Sequence, residues 1–320
     1  MLRSLFISLS KAEWARQAIT NWDFSWKMAT RFVAGEQLED AIQVVGELNS
    51  RGINATLDHL GEYTAQKPDA IRATSDILSG LDAISDAGAR SSVSIKLSQI
   101  GLGLGADFCA DNLRTILSHA REQNNFVRID MEDSSTVAAT LRLYHRMVSE
   151  FEFSNVGVVI QAYLFRSEND VYELLKTGTP IRLCKGAYQE PPEIAYPQKV
   201  DVDKNYDHVC KMLMDEAQKY TDMQVSENGR FPPLPALATH DPARIEFAKS
   251  YAQKIDLPKN AFEFQMLYGI RRDLQKQLVD EGYQVRVYVP YGSQWYPYFM
   301  RRLAERPANV WFFASNFFRN

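Results

Sequence analysis

A short strand-like run followed by a stretch of helical periodicity recurs eight times between residues 54 and 305, and no other feature constrains the fold as strongly. The strands read 54–58, 92–96, 126–130, 156–161, 180–185, 236–240, 261–265 and 285–292. The helices behind them read 69–87, 108–122, 136–151, 170–176, 206–220, 242–254, 272–281 and 295–305, the last closed by Pro307. A helix between successive strands makes each connection a crossover, so the strands are parallel. Eight such units over roughly 250 residues predict a closed (β/α)8 TIM-type barrel of the α/β class. The competing arrangement is an open doubly wound sheet, which requires a phosphate-binding glycine turn after the first strand. The segment Leu57–Glu62 is nothing like one, and Gly101–Gly105 follows the second strand and reads as a loop.

Ahead of the barrel, residues 11–34 carry Trp14, Ile19, Trp22, Trp26 and Phe32 among charges and read as amphipathic helix ended by Gly35, with a second helix over 36–48. A proline-bearing loop from Gln189 to Lys199 is long enough to act as a flap. The chain of 320 residues is 45% hydrophobic, enough for a large core. Its net charge of -4, with no dense basic cluster beyond Arg301, Arg302 and Arg306, argues against nucleic acid as a partner. Cys109, Cys184 and Cys210 form no CxxC pair and no zinc pattern, which fits a reduced, cytoplasmic setting. The apolar run at the N-terminus soon meets Lys11, Glu13 and Arg16, so any membrane contact is expected to be peripheral.

Barrel active sites lie at the C-terminal ends of the strands. Those ends carry Asp58 with Glu62, Lys96, Asp130, Gln161, Arg182 with Lys185 and Tyr188, Thr239 with His240, Gln265 with Leu267, and Tyr288. Burying such groups without partners would cost about 1 to 3 kcal/mol each, so a ligand or a polar network must satisfy them. The last helix adds Tyr298, Arg301, Arg302 and Glu305 at spacings that share a face. Lys96, Arg182, Lys185, Arg301 and Arg302 outnumber Asp58, Glu62 and Asp130, which points to an anionic ligand. Blander readings stand beside these. Lys96 and Asp130 would also suit an ion pair between neighbouring strands, the arginine helix would suit a basic surface, and His240 a structural position beside a helix cap. Cys184 reads as an inert core thiol, and Asp133 with Ser134 as helix-capping residues.

Taken together, Ser94–Ser98 (SIKLS), Ile129–Asp130, Val159–Tyr163 (VIQAY), Arg182–Tyr188 (RLCKGAY), Ala238–His240 (ATH), Phe262–Gly269 (FEFQMLYG), Val287–Tyr288 and Tyr298–Glu305 (YFMRRLAE) resemble, in order, the motifs of proline dehydrogenase. The resemblance implies a distorted barrel over 51–320 preceded by a helical arm over 1–50, as in the short bacterial form without an aldehyde dehydrogenase half. It implies FAD as cofactor, oxidation of L-proline to Δ1-pyrroline-5-carboxylate, a membrane quinone as electron acceptor, and pyrroline-5-carboxylate dehydrogenase as a functional partner. By the same resemblance, Asp130, Gln161, Arg182, Lys185, Gly186, Ala187, Thr239, His240 and Gln265 would hold the cofactor. Lys96, Arg301 and Arg302 would grip the substrate carboxylate, and Tyr188, Leu267, Tyr288 and Tyr298 would enclose its ring. Lys96, Asp130, Arg182, Tyr288, Arg301 and Arg302 form the expected catalytic set, with Glu62 as a gate on Arg301.

Two other readings remain at this level. A class I aldolase would use Lys185 or Lys96 at a strand end to form a Schiff base, and a catalytically silent barrel would only bind a metabolite.

Overall fold

The computed structural model describes residues 23–220 and 225–305. Eight strands pair in parallel and in chain order, and β8 closes back on β1. They are β1 (Asn54–His59), β2 (Ser91–Ile95), β3 (Val127–Ile129), β4 (Val156–Gln161), β5 (Ile181–Cys184), β6 (Pro235–Ala238), β7 (Glu263–Leu267) and β8 (Gln284–Tyr291). The helices are α1 (Asp23–Ala29), α2 (Leu38–Asn49), α3 (Lys67–Asp86), α4 (Ala106–Glu122), α5 (Ser134–Ser149), α6 (Ser167–Leu175), α7 (Lys199–Ala217), α8 (Pro242–Lys254), α9 (Arg272–Asp280) and α10 (Trp295–Glu305). The starts of α5 and α8 are set locally. Asp133 accepts from Ser135 N and Asp241 from Ala243 N, and Pro242 opens α8 where no backbone N–H is needed.

The barrel departs from regular geometry where the chain closes. The slot between β8 and β1, which an eighth helix would ordinarily fill, is taken by α2, whose Ala41, Val45 and Leu48 join the main core. The helix that follows β8, α10, instead forms a second apolar cluster. Its Trp295, Tyr296, Phe299 and Leu303 pack on Met28, Phe32 and Val33 and on Leu60 and Ile270 from strand-end loops. Backbone bonds from Ala34 N to Pro290 O and from Gly292 N to Gly35 O, both 2.9 Å, fasten the entering segment to the end of β8. Trp26 lies tilted against Trp295 with ring centroids 5.4 Å apart, so part of the predicted aromatic arm packs under α10. Trp14, Ile19, Trp22, Pro307 and the side chain of Glu305 lie outside the described residues.

Three expectations need correction. Helix α7 begins at Lys199, seven residues before the predicted start, because its first two turns carry only Val200 and Val202 among charged and polar residues and show no continuous apolar stripe. The loop before it is not a free flap. A bridge between Leu164 and Ala195 ties it down, and Glu190 receives Ser134 N at 2.8 Å at the start of α5. Strand β8 also runs three residues beyond Tyr288, which therefore lies within the strand.

Candidate active site

Successive side chains of a barrel strand point alternately outward to the helices and inward. In β2, Val93 and Ile95 join the apolar shell while Ser92, Ser94 and Lys96 engage interior groups. The same alternation separates Val127 and Ile129 from Arg128 and Asp130, Phe264 from Glu263 and Gln265, and Val285 and Val287 from Arg286 and Tyr288. A barrel interior is commonly filled by branched aliphatic residues. Here it holds a charged network.

At its upper end the interior opens into a cavity of about 500 Å³. Lys96, Asp130, Gln161, Arg182, the run Lys185, Gly186, Ala187 and Tyr188, then Thr239, His240, Gln265, Leu267 and Tyr288 line it from the strand ends. Tyr298, Arg301 and Arg302 line it from α10. Glu62 meets this group through Arg301, which donates to its two carboxylate oxygens at 2.6 and 3.1 Å. Gly186 permits the wall's close approach, since its φ is +118° and a side chain there would strike the Tyr163 ring.

Arg182 is the hub. Its Nε donates to Gln265 Oε1 at 2.5 Å, Nη1 to Asp130 at 2.7 Å and Nη2 to Ser94 Oγ at 3.0 Å, which fixes the guanidinium plane from three strands. Tyr288 donates its hydroxyl to the other oxygen of Asp130 at 2.7 Å. Burial and the adjoining Asp130 raise the Tyr288 pKa well above its ordinary value, so the phenol keeps its proton.

Lys96 donates to both carboxylate oxygens of Asp58 at 2.9 Å and stands 3.9 Å from Asp130. The neighbouring-strand pair is therefore principally Lys96–Asp58, while Asp130 serves Arg182. Burial alone would lower the lysine's pKa, but Asp58 and then Asp130 outweigh it and hold the ammonium charged. The same balance, with Glu62 as the carboxylate, keeps Arg301 charged. Arg302 lies with its guanidinium carbon 5.0 Å from the centre of the Tyr298 ring.

At the other margin, Lys185 donates to Asp203 at 2.5 Å and Asp241 at 2.7 Å, so its charge is already matched. His240 Nε2 accepts from Leu267 N at 2.9 Å, which assigns the ring proton to Nδ1. Gln161 gives its Nε2 to Met131 O and Glu132 O, at 3.3 and 3.1 Å, and leaves Oε1 buried without a partner. Burial pushes the Cys184 thiol up to about 12, in keeping with an inert sulfur.

Strand-end reading missed the layer below. Arg128, Glu263 and Arg286 sit one pleat deeper, and the signal was strict polar–apolar alternation in strands that should read as continuous apolar runs.

With this geometry in place, a family model described as Proline dehydrogenase matches residues 41–315. The chain belongs to the proline dehydrogenase family. It is 44% identical over 290 residues to Proline dehydrogenase of Deinococcus radiodurans, covering 90% of this chain and 89% of that one. Proline dehydrogenase 1 of Bacillus subtilis is 40% identical over 315 residues, covering 98% and 97%. Proline utilization A from Bdellovibrio bacteriovorus, solved after inactivation by N-propargylglycine, aligns with a TM-score of 0.78 at 29% identity, over 87% of this chain and 32% of that one. The protein is thus a proline-oxidising oxidoreductase of this family, on a (β/α)8 barrel.

Proposed function

We propose that the chain oxidises L-proline to Δ1-pyrroline-5-carboxylate, with FAD as first electron acceptor and a membrane quinone as the next. One observation carries this reading: a single cavity gathers Lys96, Arg301 and Arg302 with Tyr188, Tyr288 and Tyr298, a set suited to a small apolar ring bearing a carboxylate. The remaining wall fits a flavin. Gln161 Oε1 is an unpartnered buried acceptor, as a ring with N–H donors requires, and Arg182 is a buried cation beside which negative charge can develop.

When bound, FAD supplies the two-electron sink that no side chain offers. Asp130, Gln161, Arg182, Gly186, Ala187, Thr239, His240 and Gln265 would hold it. Lys185 would join them once a phosphate competes with Asp203 and Asp241 for its ammonium. Arg301, Arg302 and Lys96 fix the substrate carboxylate, and the tyrosines and Leu267 fix the ring. Oxidation beside the ring nitrogen uses the nitrogen lone pair, so the amine must be neutral at that moment. Glu62 is the resting partner of Arg301. As the substrate carboxylate replaces it, α10 would settle over the cavity and exclude water.

No helix among the described residues is long and apolar enough to cross a membrane, and the contact with quinone is proposed to be peripheral, at the cytoplasmic face. Pyrroline-5-carboxylate dehydrogenase would consume the product. The aldolase reading loses ground because a Schiff base needs a neutral amine, and both Lys96 and Lys185 are locked onto carboxylates.

The test is anaerobic mixing of the purified protein with L-proline and with prolinamide. Yellow protein that bleaches with proline, and far more slowly with prolinamide, supports the reading. Equal bleaching by both would remove the carboxylate clamp, and colourless protein trapped by borohydride on a lysine would restore the aldolase.

A further inference from the structure

Beneath the cavity, Arg286 on β8 donates Nε to Glu263 Oε1 on β7 at 2.9 Å, and Gln265 Nε2 donates to that same oxygen. Gln265 Oε1 in turn accepts from Arg182 Nε. Glu263 and Arg286 are 0% and 1% exposed, and neither lines the cavity. The donor–acceptor order of this chain permits one arrangement only. A guanidinium donates and cannot accept, so Gln265 must turn its oxygen toward Arg182. Its amide nitrogen then faces Glu263, where a carboxylate accepts and cannot donate. With the Glu263 acceptor removed, the amide would be free to rotate and set N–H against N–H, and Arg182 would lose one of the three bonds that hold its plane. Arg286 supports the carboxylate from behind and is itself anchored by a 2.8 Å bond to Ala55 O on β1.

We infer that Glu263 and Arg286 are positioning residues for the oxidation: through Gln265 they orient Arg182 toward the electron acceptor, although they touch neither substrate nor cavity. The inference rests on the proposed placement of Arg182 beside a flavin.

The experiment compares the flavin-loaded Glu263→Met variant, which has no acceptor for Gln265, with the parent protein. The readouts are the single-turnover reduction rate, KM for proline and the flavin midpoint potential. The reduction rate should fall roughly 10- to 100-fold, as expected when a reacting group is displaced by a fraction of an ångström, while KM changes less than about twofold because the carboxylate clamp lies elsewhere. The potential should fall. Loss of a buried negative charge acting only through space would raise it, so the sign separates positioning from simple electrostatics. An unchanged rate, or a potential that rises or stays level, overturns the inference.

In a Gln265→Met background the relay is already cut, and Glu263→Met should add nothing further to the fall in rate; additive losses would overturn the inference as well. Should Glu263→Met fail to fold, Glu263→Asp keeps the charge beside Arg286 while withdrawing the acceptor from Gln265, and the same outcomes decide. Arg182→Met separates the two claims. If it leaves rate and potential unchanged, the placement of Arg182 fails; if it lowers both and Glu263→Met does not, the relay alone fails.

Discussion

The two faces of this barrel are built from opposite chemistry on the same strands. Facing the helices, Val93, Ile95, Ile129, Leu183, Leu237, Phe264 and Val287 form a continuous apolar shell. Facing inward, Asp58, Lys96, Arg128, Asp130, Arg182, Glu263 and Arg286 form a largely buried charged network. The shell supplies burial, which scales with apolar area and tolerates exchange of similar volumes. The network supplies little net stability, because desolvation offsets much of the attraction between buried charges. It holds donors and acceptors in fixed directions beneath the cavity, and Gly157 preserves room for it, since a side chain there would meet the Arg128 guanidinium. Stability and orientation are thus divided between alternate residues of one strand.

This division can be broken most severely at the top of the inner face. Replacing both Arg301 and Arg302 with alanine should leave almost no saturable proline binding, and one replacement alone should raise KM roughly 10- to 100-fold, as for loss of one charge-assisted bond. Steady-state kinetics over a wide proline range checks both, and the melting temperature should change much less than KM.

Next in size, Arg286→Met would strand Glu263 in the interior at a cost of about 3 to 5 kcal/mol in urea unfolding. Adding Glu263→Leu should restore most of that stability without restoring the rate of flavin reduction. Recovery of both would mean that the inner network serves only the fold.

On the outer face, Leu237→Ala should cost about 2 to 5 kcal/mol by leaving a cavity. KM and reduction rate should stay near parent values below the unfolding transition. A large loss of activity in the folded variant would erase the distinction between the faces.

Glu62→Ala removes the resting partner of Arg301 and should change KM by only a few-fold without abolishing reduction. Stopped-flow traces with and without proline would show whether closure has become less dependent on substrate.

The smallest effect concerns pH. Lys96 has a folded pKa raised above its unfolded value, so the stability it contributes is complete below the unfolded pKa and is lost only as pH rises through the folded one. Between pH 6 and about 10, kcat/KM should therefore climb with the neutral fraction of the substrate amine, with no second inflection from Lys96. Lys96→Met should keep the shape of that profile.

Much of this was legible along the chain, for physical reasons that particular residues illustrate. Local periodicity determines strands and helices, and the start of α8 at Pro242 follows from Asp241 and Pro242 alone. Parallel crossovers determine the barrel, and the barrel determines that strand ends such as Lys96, Gln161 and Gln265 share one cavity. Pairing between distant strands is different, because it depends on register and on pleat depth, which no local run of residues encodes. Only the tertiary structure decided that Lys96 answers to Asp58 before Asp130, that Lys185 is held by Asp203 and Asp241, and that α2 takes the slot left when α10 moved over the mouth. The same holds for Glu263 and Arg286, whose alternation with Phe264, Val285 and Val287 marks them as inward-facing but cannot reveal which guanidinium each carboxylate meets.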